Sequence, residues 1–149
     1  MVFGAYFCKP KKTFIMIDAD KTNFAETFRN RTKKFVVDNI RFYRTLPKTE
    51  EAKIIGRQLP RSSSSVGANY RAACRARSQA EFNAKLLTVV EEADESAFWM
   101  EVLIEAEVVN KTDLGFLLDE ANQILRITSA SRKPFQKINH LKFTKSLIH

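Results

Sequence analysis

Cations supply most of the chemistry available to this chain. Arg29, Lys33, Lys34, Arg41 and Arg44, then Lys53, Arg57, Arg71 and Arg75, recur at intervals of three, four and seven residues. That spacing lines them along helix faces, where ammonium and guanidinium groups would meet the phosphates of RNA or DNA. The bland alternative is a solvated face that pairs with acidic residues of the same or a neighbouring chain. A second constellation is Arg61, Ser65 and Asn69, on one helical edge, with Glu92 or Glu95 as ionic partner. It reads as a structural polar cluster that orients two helices, since buried polar groups need partners and set register; the other reading is a ligand site. Glu92, Glu95 and Trp99 could be taken for an acid–aromatic site, but a di-iron bundle needs Glu-x-x-His pairs. The two histidines, His140 and His149, lie near the C-terminus. Nucleophile motifs and phosphate-cradling glycine loops are absent from the sequence. The expectation is a non-catalytic protein with no cofactor and no metal.

Four amphipathic segments carry these residues. The first runs from Phe24 to Leu46, with Thr22 or Asn23 as cap and Pro47 as stop. Phe24, Phe28, Phe35, Phe42 and Leu46 form its apolar stripe, and the cations fall opposite. Arg31 lies on the stripe, so it must snorkel, pair or face another subunit. The second segment, Glu50 to Arg77 with Thr49 as cap, stays in phase across Ser62-Ser63-Ser64-Ser65. It reads as one helix kinked at Pro60 or Gly67, with Ile55, Leu59, Val66, Tyr70 and Ala73 inward. The third opens on a capping box, Ser78 and Glu81, and runs to Val109. Phe82, Leu86, Val89, Val90, Ala93, Ala97, Met100 and Ile104 are its main stripe. Phe98, Trp99 and Val102 lie off that stripe, which suggests an oligomer interface. The fourth runs from Asp113 to Ile127, with Phe116, Leu117, Ala121, Ile124 and Leu125 as core candidates.

The fold class is therefore all-α, an antiparallel up-and-down four-helix bundle. Its organisation is an N-terminal extension (1–21), the bundle (22–130) and a basic C-terminal tail (131–149), which reads as a nucleic-acid arm, a docking peptide or a solubilising end. With four Gly and four Pro in 149 residues, the chain lacks the turns of a sandwich or barrel. Net charge is +8, which suits a polyanionic partner. The charge is segregated: residues 78–110 hold eight acids and one Lys, whereas residues 21–48 hold eight Lys/Arg and two acids. No apolar run reaches the roughly 20 residues a membrane helix needs. Cys8 and Cys74 have no metal or disulfide spacing, and a cytoplasmic location is expected.

The stretch Gln58-Leu59-Pro60-Arg61-Ser62-Ser63-Ser64-Ser65-Val66-Gly67-Ala68-Asn69-Tyr70-Arg71 resembles the four-helix-bundle family encoded in 23S rRNA intervening sequences. The family pattern places Arg, Ser and Asn four residues apart, here Arg61, Ser65 and Asn69. The stretch Glu91-Glu92-Ala93-Asp94-Glu95-Ser96-Ala97-Phe98-Trp99 looks like the family's acidic third helix. The resemblance covers residues 24–127. The chain departs at Ala72, where members commonly carry Glu, and at Ala73, where many have Gly; no role of that Glu carries over. The resemblance implies a ring, typically a homopentamer. It also implies, through a related branch of retroelement accessory proteins, contact with nucleic acid and a polymerase-like partner. Two functions follow as expectations. One is a homo-oligomer whose basic surface binds RNA or DNA without base readout; the other is an oligomeric scaffold that docks a protein partner.

Overall fold

A computed structural model describes the backbone of residues 19–146 and the side chains of residues 23–132. Among these residues there are five helical segments and no strand: α1 (Ala19–Tyr43), α2 (Glu50–Gly56), α3 (Gln58–Ala73), α4 (Gln79–Glu105) and α5 (Lys111–Ser146). α2 and α3 are one rod with a break at Arg57, whose backbone stays in the right-handed helical region. Pro60 sits in the first turn of α3, where its missing N–H leaves the Gly56 carbonyl without its helical donor. The bend thus falls three residues before the proline. At Gly67 the helix is continuous. The glycine lets α1 approach, because a Cβ there would lie 2.7 Å from Val36 Cγ2.

Around the bundle α1 packs against α3, α3 against α4, α4 against α5, and α5 more sparsely against α1. α1 and α4 are thus diagonal, as are α3 and α5. The core contains Phe28 and Phe35 of α1, Leu59, Val66 and Tyr70 of α3, Phe82, Leu86, Val89 and Met100 of α4, and Leu117, Ala121 and Ile124 of α5. Each buried Phe contributes about 1.5–3 kcal/mol over leaving it exposed. The Phe28 and Tyr70 rings meet edge to face at 4.7 Å.

Several boundaries differ from the sequence reading. α1 begins one turn earlier, at Ala19, since nothing in Ala19-Asp20-Lys21 stops a helix; Thr22 and Asn23 lie inside it. α4 starts as expected, with Ser78 Oγ accepting from the Glu81 N–H at 3.1 Å. The Glu81 carboxylate accepts from the Arg77 N–H at 2.9 Å, one residue before the usual capping-box donor. α4 stops at Glu105 rather than Val109. Glu107 takes a left-handed φ of 57°, and the Val108 and Glu107 N–H groups close back on the carbonyls of Leu103 and Ile104. This is a Schellman ending without the glycine that would have announced it. α5 includes Lys111 and Thr112, so Asp113 lies in its first turn. It also continues past Ile127, because buried Thr128 returns its hydroxyl to the Ile124 carbonyl at 2.7 Å and remains compatible with helix.

The apolar stripes were read mostly correctly, with informative exceptions. Phe116, expected in the core, is 69% exposed, and Phe24 is 38% exposed. Leu103 and Leu114, which the stripes omitted, are fully buried. Leu114, Leu117 and Ala121 follow the three-and-four spacing of one face, whereas Phe116 lies about 100° to one side of Leu117.

Candidate nucleic-acid interface and inter-helix polar sites

Two neighbouring contacts orient α1. Val36 faces Gly67 of α3, and Arg31 reaches Glu120 of α5. At about 100° per residue, Arg29, Lys33 and Arg44 lie on the α3 side and outer surface of α1. Lys53, Arg57 and Arg71 lie on the outer side of α2 and α3 next to Gly67, with Arg75 in the turn beyond. The two sequence stripes therefore merge into one basic flank of seven cations. Within it Arg29 pairs with Glu26 and Lys53 with Glu50, each one helical turn away. Among the described residues, Lys33, Arg44, Arg57, Arg71 and Arg75 form no ion pair, and all five are exposed. Lys34 and Arg41 are placed differently. They sit on the α5 side of α1 and both pair with Asp38.

Arg31, the residue that broke the apolar stripe, is explained by α5. Its Nε and Nη2 donate to the two Glu120 carboxylate oxygens at 2.6 and 2.8 Å, and Nη2 also donates to Gln123 Oε1 at 2.6 Å. The bidentate fork on Glu120 raises the Arg31 pKa above its ordinary value, against the opposing effect of burial. The guanidinium also lies 6.0 Å from the centre of the Phe28 ring. One turn on, Lys34 Nζ lies 5.9 Å from the centre of the exposed Phe116 ring.

The expected polar cluster is divided in two. Arg61 pairs with Glu95 across α3 and α4, and the same Glu95 oxygen accepts from Trp99 Nε1 at 3.0 Å. The indole hydrogen bond first, and then Arg61, hold the Glu95 carboxyl below its ordinary pKa. Ser65 and Asn69 bond to each other, Asn69 Nδ2 donating to Ser65 Oγ at 3.1 Å and to its carbonyl at 2.9 Å. Glu92 joins neither pair; its Oε2 is buried without a hydrogen-bond partner among the described residues. The fully buried α3–α4 link is one the sequence reading missed. Ser96 Oγ donates to Ser62 Oγ at 2.7 Å, while Ser62 donates to the Gln58 carbonyl. The only signal for it was a serine in each helix at a core-facing position.

The off-stripe residues are partly open to solvent. Phe98 is 52% exposed and packs edge to face on Trp99, ring centres 4.9 Å apart; Trp99 and Val102 are half-buried. Among the described residues no group of three or more His, Cys, Asp or Glu is placed to hold a metal ion. No described helix is long and apolar enough to cross a membrane.

Fold and surface together define an all-α, up-and-down helical bundle with one basic flank. Residues 27–130 match the 23S rRNA-intervening sequence protein family, and the chain belongs to that family. A solved structure of the S23 ribosomal protein family from Bacteroides thetaiotaomicron, a protein of unknown function, is similar at 27% identity and a TM-score of 0.68. The match covers 73% of this chain and 97% of that one. No curated protein matches this chain. The family read from Gln58–Arg71 and the bundle implied by it both hold.

Proposed function

We propose that this protein is a non-catalytic homo-oligomer of the cytoplasm whose basic flank binds the backbone of RNA or DNA without base readout. The observation that carries this reading is the merger of two separate sequence stripes into one flank, with five exposed cations that form no ion pair among the described residues. Unpaired cations on a common surface repel one another and gain from a polyanion that releases its counterions on binding. No helix of the flank carries a base-reading motif, so affinity is expected to vary little with sequence. A second reading, a scaffold that docks a protein partner, draws support from the exposed Phe98 and its neighbour Trp99.

Anisotropy of labelled random-sequence RNA and DNA oligonucleotides tests the first reading. Affinity should fall steeply as salt rises. The triple variant Lys33→Glu, Arg71→Glu, Arg75→Glu should lose it while keeping its helicity, and the salt slope should drop by about 3. Retained affinity in that variant would overturn the assignment of the flank.

A further inference from the structure

Among the described residues six polar side chains are buried: Thr32 and Asn39 of α1, Ser62 and Ser63 of α3, Ser96 of α4 and Thr128 of α5. Four of them carry hydroxyls that return to a carbonyl three or four residues earlier in the same helix: Thr32 to Arg29, Ser62 to Gln58, Ser96 to Glu92 and Thr128 to Ile124. Asn39 and Ser63 are the exceptions. Asn39 donates Nδ2 to the Phe35 carbonyl at 2.8 Å. That bond fixes the amide, because a flipped amide would set one carbonyl oxygen against another. Asn39 Oδ1 is left buried with no hydrogen-bond partner among the described residues, and so is Ser63 Oγ. Stranding a buried polar group is costly enough that native proteins nearly always supply a partner.

The two orphans belong to one place. α1 and α3 are antiparallel neighbours, and Gly67 of α3 stands against Val36 Cγ2 and the Thr32 carbonyl of α1. One turn further along this seam, the residues brought level are Asn39 and Ser63. Around the axis of α1, Asn39 lies about 60° from Val36, toward buried Phe35. Around the axis of α3, Ser63 lies about 40° from Gly67, toward buried Tyr70. Both therefore face the same stretch of the α1–α3 seam from opposite walls.

We infer that a single internal water molecule occupies this stretch and bridges Asn39 Oδ1 to Ser63 Oγ. A direct bond would need the two oxygens within reach of each other, and neither has such a neighbour. Water spans the larger gap. It donates to Asn39 Oδ1, which can only accept, and bonds in either direction with Ser63 Oγ, which can donate or accept. An apolar filler would leave both oxygens stranded. The bridge also sets a register, since sliding α1 along α3 by one turn would part the two groups. The seam underlies the basic flank, so the same water helps to fix how Lys33 and Arg44 of α1 stand against Arg57 and Arg71 on the rod beside them.

A high-resolution crystal structure of the full chain tests the bridge directly. The expected result is one ordered water within hydrogen-bond distance of both Asn39 Oδ1 and Ser63 Oγ. A direct bond between the two side chains, or a seam with no water between them, would overturn it. Unfolding rates of Asn39→Ala, Ser63→Ala and the double variant give a second test. One water serves both side chains, so either substitution releases it, and the double variant should unfold no faster than the faster of the single variants. Rate increases that multiply in the double variant would mean two independent sites and sink the bridge. If Asn39→Ala does not fold, the wild-type crystal structure decides alone. Neither outcome depends on nucleic-acid binding, so a protein indifferent to RNA and DNA would leave the bridge standing.

Discussion

The α1–α5 and α3–α4 sides are built on the same plan, an Arg–Glu pair joining two helices beside an exposed phenylalanine, yet the two pairs are not equivalent. Arg31 and Glu120 are largely withdrawn from water, with side-chain exposures of 31% and 17%, and the guanidinium is bidentate with Gln123 as an added acceptor. Arg61 and Glu95 are more open, at 55% and 32%, and Glu95 divides its attention between Arg61 and the indole of Trp99. The difference teaches that contact alone does not set the weight of an ion pair. Solvent screening weakens the open pair, whereas desolvation makes the closed one expensive to break. The closed pair joins α1 to α5, which pack on each other more sparsely than the other neighbouring long helices do.

The largest test of this contrast asks whether both sides rest on an equally firm core. Leu103→Ala of α4 and Leu114→Ala of α5, both at fully buried positions, should each destabilise by about 2–5 kcal/mol in urea unfolding; a small effect at Leu114 would mean that packing contributes little to holding α5. Next comes Arg31→Ala, which strands the Glu120 carboxylate and should lose about 2 kcal/mol, after allowance for partial exposure. Arg61→Ala should lose no more than about 1 kcal/mol by the same measurement. Equal losses at the two arginines would break the comparison. The smallest effect is in pH. Glu95 has a folded pKa below its unfolded one, so its contribution to stability is present above the unfolded value and is lost as pH falls through the folded value. Fluorescence of Trp99, the one tryptophan of the chain, should therefore change only below the ordinary carboxylate range, and Glu95→Gln should remove that transition.

Much of the fold was legible because helix signals are local. The Ser78–Glu81 cap, the Thr49 cap and the inward stripe of α4 depend on residues within a turn or two, and they stand where the spacing put them. Phe116 was misplaced because apolarity was allowed to outweigh spacing, whereas Leu114, three residues before Leu117, had the better phase. The end of α4 was illegible because Glu107 adopts a conformation usually left to glycine. At the candidate site, spacing and sign left Glu92 and Glu95 both open as the partner of Arg61, and the fold selects Glu95. Glu92, one turn earlier on α4, is left with its Oε2 buried and without a hydrogen-bond partner among the described residues, which spacing and sign cannot show.

By itself the sequence determined that this protein is helical, which face of each helix turns inward, and that its charges are segregated by segment. Periodicity carries all three, since it fixes where a side chain points around its own axis. Only the tertiary structure decided which helices are neighbours. That choice gave Arg31 its partner on α5, linked Ser62 to Ser96, left Phe116 outside, and fused the cations of α1 with those of α2 and α3 into one flank. The reason is physical: an amphipathic stripe is satisfied by any apolar surface of suitable shape, so the identity of the neighbour is set by connections and close packing across the whole bundle.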